Sequence, residues 1–390
     1  MMKQENKKKW IGIWEEEKQW KDKIYAMWQQ IFQDPESFAK YYYDHMYHKN
    51  RIYTVWKEKE ECEHDFSAQN IEERQLCGML HLNPYEMKIG SKKKMIDYIV
   101  GVAVDETMRR QGIMASMLQE SMLEMYRERK PFTFLMPAKE AYYKPFDFRF
   151  VFDRYTYEVE CASEKISRQY QWVSYEKLEN KEQFLEFCSD FFEEMDITTV
   201  RTREYMEQLM EEVKAEEGDC LICIQNEKIK GFVTYALDGK KAVVREIVTK
   251  EPIEEIMQEF LTTIQCKQGT FSLDWFHSIP SEYKTIPTIM FRIVHLVEML
   301  EMMVGKETQT LLFEVKDEFV MENNGLYRME LGKDGSKVEK VEDEKGDMKV
   351  SIAQLTSILF GYPSEEVTEE LRQYFRNIIP LQKIYISEIV

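Results

Sequence analysis

The chain has 390 residues, 44% of them hydrophobic, which is enough apolar mass for two or three folded domains of ordinary size. Its formal net charge is −18, with 53 Lys and Arg against 71 Asp and Glu. That balance argues against binding to the phosphate backbone of nucleic acids, which requires a basic surface. The low counts of 15 Gly and 10 Pro argue against long disordered tracts.

The cysteines and the apolar stretches predict a cytoplasmic protein without a membrane span. Seven cysteines are scattered along a chain too long to need a disulfide framework, which indicates a reducing compartment. One of the longest apolar stretches, residues 286–303, is interrupted by Arg292, His295, Glu298 and Glu301. A segment with that many polar and charged side chains cannot cross a bilayer.

The first part of the chain is predicted to contain a strand–helix–strand unit. Helical spacing of apolar residues predicts helices over residues 23–32 and 36–47. Short apolar runs then predict strands at 51–56, 76–82 and 97–104, a helix at 112–129 and a strand at 132–136. The order of the last three elements is that of a βαβ unit.

The rest of the chain divides near residue 285. Residues 181–265 are predicted to repeat the same order of elements, with two helices, a hairpin about residues 226–228, a strand and a helix, without repeating the same residues. Element order alone leaves a structural duplication open. Beyond residue 285 we expect an α+β module that begins with an amphipathic helix over residues 291–304.

The clearest local motif lies where the strand ending at Val104 is followed by a short loop and a helix. The loop reads Arg109-Arg110-Gln111-Gly112, and the helix begins directly after it. Backbone N–H groups at the first turn of a helix attract anions, glycine permits close approach, and arginine adds charge-assisted hydrogen bonds. The motif suits a pyrophosphate, and the alternative is an ordinary helix start with two surface arginines.

Residues 98–113 resemble the acyl-CoA-binding motif of the GNAT acetyltransferases. Met114 stands where that motif usually has Gly or Ala, and a bulky residue there is similar to the enhanced intracellular survival (Eis-like) branch. Residues 136–148 also resemble a segment of that branch, the middle of the chain lacks the Arg-x-x-Gly loop, and the chain ends in the apolar, acidic sequence Glu388-Ile389-Val390. The resemblance extends over the whole chain.

The resemblance implies a mixed α/β (α+β) fold in three parts. Residues 1–157 would form a GNAT acetyltransferase domain that binds acetyl-CoA, and residues 158–284 a degenerate GNAT-like domain. Residues 285–390 would form an α+β domain similar to sterol carrier proteins. It also implies a homo-oligomer, often a hexamer.

The implied activity is direct transfer of acetyl from acetyl-CoA to a primary amine of a cationic acceptor, such as an aminoglycoside, a polyamine or a lysine. The acidic balance of the chain independently favours a cationic small-molecule substrate. The strand backbone would hydrogen-bond the pantetheine arm, and the loop and helix start would bind the pyrophosphate. The implied cofactor-binding residues are Val102, Ala103, Val104, Arg109, Arg110, Gln111, Gly112, Ile113 and Met114.

Two catalytic groups are carried over from the family. Tyr143 matches its tyrosine acid, with Tyr142 as the alternative register, and the terminal carboxylate of Val390 matches its general base. A tail that only packs apolar side chains into a core is the alternative for Val390. Asp147 and Phe148 stand where the family often has Gly and Tyr, which leaves the wall of the acceptor pocket open.

No metal site is predicted. Cys220-x-x-Cys223 has the spacing of a redox or zinc motif, but positions i and i+3 of a strand face opposite sides, and no second Cys/His pair follows at zinc-site spacing. The six histidines are dispersed. The competing function is a lipid- or small-molecule-binding protein that uses the C-terminal domain beside a silent acetyltransferase fold.

Overall fold

The N-terminal region of the computed structural model packs helices on both faces of a sheet. The structure describes residues 10–16, 18–57, 74–162, 168–278, 283–342 and 345–388. A short π-helix, Tyr42–Met46, follows the second α-helix. The elements of this region are β1 Trp10–Trp14, α1 Lys21–Phe32, α2 Glu36–Tyr41, β2 Arg51–Lys57, β3 Leu76–Ile89, β4 Lys92–Val104, α3 Ile113–Arg127, β5 Phe132–Leu135, α4 Glu140–Tyr143 and β6 Arg149–Glu160.

The central region contains the predicted two helices, hairpin, strand and helix in that order, with a further short strand between the two helices. Its strands β11 and β12 are parallel and are joined by α7, as β4 and β5 are joined by α3. The hairpin turn falls at Asn226 and Glu227, both with positive φ, which is the backbone of a tight two-residue turn. The elements are β7 Gln171–Ser174, α5 Lys181–Phe192, β8 Ile197–Thr199, α6 Arg203–Ala215, β9 Asp219–Gln225, β10 Lys228–Asp238, β11 Lys241–Thr249, α7 Ile253–Thr263 and β12 Gln268–Leu273.

The C-terminal region adds two strands, β13 and β20, to the large sheet and forms a separate four-stranded sheet in the order β17-β16-β15-β18. No helix within the described ranges is long and apolar enough to span a membrane. The elements are β13 Lys284–Ile293, α8 Leu296–Leu300, β14 Val304–Gly305, β15 Gln309–Lys316, β16 Gly325–Leu331, β17 Ser336–Val341, β18 Met348–Ser351, α9 Ile352–Leu359, α10 Glu369–Tyr374, β19 Ile378–Ile379 and β20 Ile384–Tyr385.

One large sheet of fourteen strands joins the N-terminal and central regions. Strand β13 lies between β5 and β6 and is antiparallel to both, and β6 pairs in turn with β12. Strand β20, near the end of the chain, pairs in parallel with β8, which pairs with β3. The last part of the chain is therefore built into the junction between the N-terminal and central regions.

The predicted amphipathic helix over residues 291–304 is wrong in its first part. Residues 284–293 are strand β13, and only Leu296–Leu300 is helical. Because β13 lies inside the sheet, residues 289–293 are buried on both faces and the apolar run has no period of two. Periodicity alone does not separate such a strand from a buried helix.

The hairpin of β3 and β4 is longer than predicted. Strand β3 continues to Ile89 and β4 begins at Lys92, although the sequence predicts strands over residues 76–82 and 97–104 only. Pro84 argues against a continuing strand, because proline cannot donate to a ladder. The extension is stabilised by the buried side chains of Tyr85, Met87 and Ile89, which alternate along β3.

The central sheet separates two hydrophobic clusters. Cys220 packs with residues of α5 and α6, whereas Cys223 packs with residues of α7 on the other face. The two thiols thus face opposite sides of β9, as predicted for positions i and i+3 of a strand. All six cysteines in the described ranges are free.

Candidate functional site

A cavity opens where strands β4 and β5 separate. The two strands are parallel and pair at Tyr98 and Phe134, whose stacked rings have centroids 4.8 Å apart. Beyond this pair a cavity of about 940 Å³ lies between the strands, bordered by α1, α3 and the segment that follows β5. Its lining includes the following residues predicted from the sequence: Val102, Ala103, Val104, Arg109, Arg110, Gly112, Ile113, Met114 and Tyr143.

Strand β4 carries a bulge at Gly101 beside the cavity. The pairing with β3 shifts here, because Met79 faces Ala103 whereas His81 faces Val100. Gly101 has a φ of +60°, a backbone conformation that glycine adopts without steric cost. The bulge breaks the regular ladder where β4 forms the cavity wall. Gly101 is a site residue that the sequence argument missed, although a glycine inside an apolar strand is a recognised signal of a bulge.

The loop after β4 places the first turn of α3 at the mouth of the cavity. Gly112 is the N-cap residue of α3 with a φ of +83°, and a Cβ built on it would meet no atom within 4 Å. The space before the helix is therefore open. Within the helix the first hydrogen bond is from the N–H of Ser116 to the carbonyl of Gly112, and N–H groups before it are available to an anion.

The side chains of the loop differ in their roles. Arg109 is exposed, its Nε donates to the carbonyl of Val104 at 3.3 Å, and its Nη1 lies 3.4 Å from Glu106 Oε1. Arg110 is also exposed and has a positive φ of 61°. Gln111 is outside the cavity lining and donates from Nε2 to the carbonyl of Thr107 at 3.4 Å. The structure brings both arginines, but not the side chain of Gln111, to the cavity.

Tyr142 and Tyr143 both border the cavity from α4, and they differ in burial. Tyr143 is 8% exposed and packs edge-on against Phe148, whereas Tyr142 is 49% exposed with Lys139 over its ring. Burial raises the pKa of Tyr143 to about 12. The Tyr143 phenol is therefore protonated at neutral pH, as a proton donor must be.

The two positions that depart from the family pattern lie directly behind this tyrosine. Asp147 has a φ of +66°, in the left-handed region that glycine takes most easily. Burial also raises the pKa of its carboxyl. Phe148 is fully buried. The chain thus keeps the backbone shape of a glycine at residue 147 and fills the place of residue 148 with an apolar ring.

The end of the chain approaches the junction of the N-terminal and central regions. Val390 lies outside the described residues, and Glu388 is the last residue described. Glu388 is buried, and its Oε1 accepts from Tyr205 at 2.8 Å and from Arg201 at 3.2 Å. Its second oxygen, Oε2, is buried without a hydrogen-bond partner.

A second, much smaller cavity of about 20 Å³ lies at this junction, large enough for one water molecule. Three carboxylates contribute to its lining, from Glu212, Glu246 and Glu388. Burial raises the pKa of Glu212 to about 7, although Arg245 opposes the shift. No local motif predicts this cavity, because its residues come from five separate segments of the chain.

Aromatic rings connect the two cavities. Tyr85 lines the small cavity and contacts Tyr205 there, with ring centroids 6.4 Å apart. The ring of Tyr85 also lies 6.3 Å from that of Tyr98, which lines the large cavity. The carboxylates and the end of the chain are thus separated from the large cavity by a layer of two tyrosines.

Comparison with protein families identifies two parts of the chain. Residues 15–151 match the acetyltransferase (GNAT) domain, and residues 295–372 match the sterol carrier protein domain. No functionally curated protein matches the sequence significantly.

Solved structures with the same fold extend over the whole chain. A protein of Enterococcus faecalis V583 described as a probable N-acyltransferase has a TM-score of 0.75 at 14% identity, covering 98% of this chain and 100% of its own. A GCN5-related N-acetyltransferase of Anabaena variabilis has a TM-score of 0.76 at 16% identity, with coverage of 97% and 100%. Eis1 of Mycobacterium abscessus has a TM-score of 0.65 at 10% identity, with coverage of 98% and 100%. At these identities the likeness is one of fold.

The predicted mixed α/β fold, with a GNAT acetyltransferase domain first and a domain similar to sterol carrier proteins last, is confirmed. Acyl transfer is the chemistry that these matches support for the chain. The protein is accordingly an N-acetyltransferase that contains an acetyltransferase (GNAT) domain at residues 15–151 and a sterol carrier protein domain at residues 295–372.

Proposed function

We propose that the protein transfers an acetyl group from acetyl-CoA directly to a primary amine of a cationic small molecule. The observation that carries the proposal is the single cavity of about 940 Å³ that is lined by the strand backbone, the two loop arginines and Tyr143. A proton donor beside the binding site for the thioester is what direct transfer would require, and these residues border one cavity.

Acetyl-CoA would lie along β4 with its pyrophosphate at the start of α3. Backbone groups of Val102 and Val104 border the cavity and can hydrogen-bond the amides of the pantetheine arm. The open space at Gly112 and the first-turn N–H groups suit the pyrophosphate, and Arg109 and Arg110 add positive charge. Met114 lines the same cavity despite its bulk.

In the proposed reaction the neutral amine attacks the thioester carbonyl carbon and forms a tetrahedral intermediate. As this intermediate collapses, the bond from carbon to sulfur breaks, the thiolate of CoA leaves, and the nitrogen releases its extra proton to solvent to give the amide. Tyr143 donates its phenolic proton to that sulfur and recovers a proton from solvent. The raised pKa of about 12 keeps Tyr143 protonated before each turnover.

The proposed base is the carboxylate of Val390, which accepts the proton that the acceptor ammonium must lose. Support comes from Glu388, which lies at the small cavity one layer of tyrosine rings from the large one. In buried surroundings the pKa of a terminal carboxylate is raised towards neutrality, as a general base requires.

The proposed acceptor is cationic because the chain as a whole is acidic, with a net charge of −18. Such a field attracts cations and raises their local concentration. Aminoglycosides, polyamines and lysine-like amines all meet the requirement. We further expect a homo-oligomer, which light scattering of the purified protein would test.

The test is a calorimetric titration with acetyl-CoA, followed by a screen of amines for release of free CoA thiol. Arg109→Gln with Arg110→Gln should abolish or strongly weaken binding. The matched control, Lys92→Gln with Lys93→Gln, removes the same charge from exposed residues at the opposite end of β4 and should bind normally. Absence of binding to the wild-type protein, or equal loss in both double variants, would contradict the proposal.

No specific observation favours lipid binding as a second function. In the C-terminal region the inward side chains of the four-stranded sheet and of α9 pack into one buried hydrophobic cluster. Its members include Leu311, Phe313, Val315, Met329, Leu355 and Leu359. These side chains are buried against one another in that cluster.

A further inference from the structure

The last described segment, residues 382–388, is held by side chains from outside the C-terminal module. Asp196 Oδ2 accepts from the backbone N–H groups of residues 382 and 383, both at 2.9 Å. Trp275 donates to the carbonyl of residue 384 at 3.2 Å, and Arg154 donates to that of residue 386 at 2.6 Å. We call this segment the tail. Side chains of the central region and of strand β6 thus hold the tail at several successive residues.

Arg201 binds the end of this tail with two of its nitrogens. Its Nη1 lies 3.2 Å from Glu388 Oε1, and its Nη2 donates to Ser387 Oγ at 2.8 Å. The same Nη2 is 2.5 Å from Glu246 Oε1, so a residue of β11 shares the guanidinium with the tail. Tyr385 also donates to Glu246 at 2.9 Å. One arginine therefore joins the tail to the central sheet.

This arrangement is buried and rigid. The side chains of Arg201, Glu246 and Glu388 are each 2% exposed. The rings of Tyr205 and Phe192 lie under the guanidinium, with centroids 4.5 and 5.3 Å from its central carbon. A planar fork held between rings has little freedom to rotate, which distinguishes arginine from lysine at such a site.

Stability alone is a weak reason for a buried ion cluster. Removing charged groups from water costs about as much as their attraction returns, and apolar residues of similar size often stabilise a protein more. The best-attested use of such clusters is to fix one register of packed segments. In this protein the ion cluster fixes the position of the tail, which lies beside the layer of tyrosines between the two cavities.

We propose that Arg201 is a positioning residue for acetyl transfer, which holds Ser387 and Glu388 in place at the small cavity. The inference rests on the proposed function, in which the carboxylate of Val390 is the base. The central region has a similar order of elements to the N-terminal region but lacks the Arg-x-x-Gly loop. In this proposal the role of the central region is to bind the tail.

The experiment compares steady-state kinetics of the full-length wild-type protein with Arg201→Gln and Arg201→Lys, using acetyl-CoA and an amine found in the screen. We expect Arg201→Gln to lower kcat by about 10-fold or more, because small misplacements of a reacting group cost that much. The KM for acetyl-CoA should stay within about twofold. Arg201→Lys should restore part of kcat, since it keeps the charge and loses the fork.

Two further variants separate positioning from folding. Tyr205→Phe removes only the hydroxyl that donates to Glu388 and should lower kcat in the same direction while the protein stays folded. Glu259→Gln is the control, because Glu259 is buried in the same region and accepts bonds from Gln169, Tyr170 and Trp172, none of them in the tail. It should lower the melting temperature and leave kcat unchanged.

The outcomes distinguish the two proposals. If the wild-type protein acetylates no amine, the proposed function fails and the role of Arg201 falls with it. If the wild-type protein is active and both Tyr205→Phe and folded Arg201→Gln keep its kcat, the positioning role alone is overturned. An equal loss of kcat in Glu259→Gln would also overturn it, because loosening of the region would then explain the effect.

Discussion

A Cβ atom on Gly101 would lie 2.5 Å from a ring carbon of Trp28. Trp28 cannot retreat easily, because its indole stacks on Tyr42 with centroids 4.7 Å apart and its Nε1 donates to Asp34 at 2.8 Å. The next turn of α1 brings Ile31 and Phe32 to the large cavity. Because Gly101 has no side chain, the ring of Trp28 packs directly on the backbone of β4. This contact sets how closely α1 approaches the cavity wall.

Gly101→Ala should therefore destabilise the protein and weaken acetyl-CoA binding. The positive φ of +60° alone costs a residue with a Cβ about 1–2 kcal/mol, and displacement of Trp28 adds to it. The control is Gly90→Ala at the tip of the β3–β4 hairpin, where φ is +57° and no atom lies within 4 Å of the added Cβ. Chemical denaturation and calorimetry would check both. Equal effects of the two substitutions would refute the role of the contact with Trp28.

Gly112→Ala should impair acetyl-CoA binding more than stability. Its φ is +83° and its Cβ would meet no protein atom, so the folded state pays only the cost of the backbone conformation, about 1–2 kcal/mol. A methyl group there would occupy space next to the α3 start, where we propose that the pyrophosphate lies. Gly239→Ala shares an open environment with φ +60° in the turn between β10 and β11 and should lose similar stability with unchanged affinity. If Gly112→Ala and Gly239→Ala bound acetyl-CoA with the same affinity, the pyrophosphate would have to lie elsewhere.

The loop and the tyrosine could be predicted because their signals are local. Arg109 and Gly112 stand between a predicted strand and a predicted helix, so a dozen residues of sequence contain the whole motif. The structure brings Arg109, Gly112 and Tyr143 to one cavity. Gly101 carried a signal as well, since glycine inside a strand indicates a bulge. Its consequence depends on Trp28, which is distant in sequence.

The rest depended on contacts between distant segments. The end of strand β13 was predicted as the start of a helix because residues 289–293, apolar except for Arg292, show no period of two. Only their place between β5 and β6 makes them a strand. Arg201 and Glu388 are 187 positions apart. Neither has a neighbouring motif, so their pairing is determined by the tertiary fold and could not be predicted from pattern.

His277 should make the protein less stable in mild acid. Burial lowers the pKa of this histidine to about 4, and its Nδ1 accepts from the N–H of Asp274 at 3.0 Å. Because the folded state binds the proton more weakly than the unfolded state, the stability that His277 contributes is present above pH 6.5 and is lost as the pH falls towards 4. The loss is about 3 kcal/mol at pH 4 by proton linkage.

His277→Asn isolates this contribution, because its amide oxygen can still accept from Asp274 and it does not titrate. The free energy of unfolding, measured in urea between pH 7 and pH 4, should fall less steeply in this variant than in the wild-type protein. His48→Asn is the control at an exposed histidine and should follow the wild-type curve. Coincident curves for His277→Asn and the wild-type protein would show that His277 is not the titrating group.

Tyr143→Phe should slow acetyl transfer without weakening the binding of acetyl-CoA. The hydroxyl is the proposed proton donor to the departing thiolate, and general acid catalysis of this kind contributes about 100-fold or more. Phenylalanine keeps the packing of the ring against Phe148 and fills the same place in the cavity wall. Steady-state kinetics should thus give a lower kcat with an unchanged calorimetric affinity for acetyl-CoA.

The neighbouring tyrosine supplies the matched comparison for this prediction. Tyr142 borders the same cavity but is 49% exposed, and Tyr142→Phe should keep most of kcat. The pKa of about 12 also predicts that ionisation of Tyr143 causes no loss of kcat below about pH 11, since the phenol stays protonated until the pH approaches its pKa. If Tyr142→Phe were the slow variant and Tyr143→Phe the active one, the acid would be Tyr142, because the two residues differ by a single position in register on the same short helix.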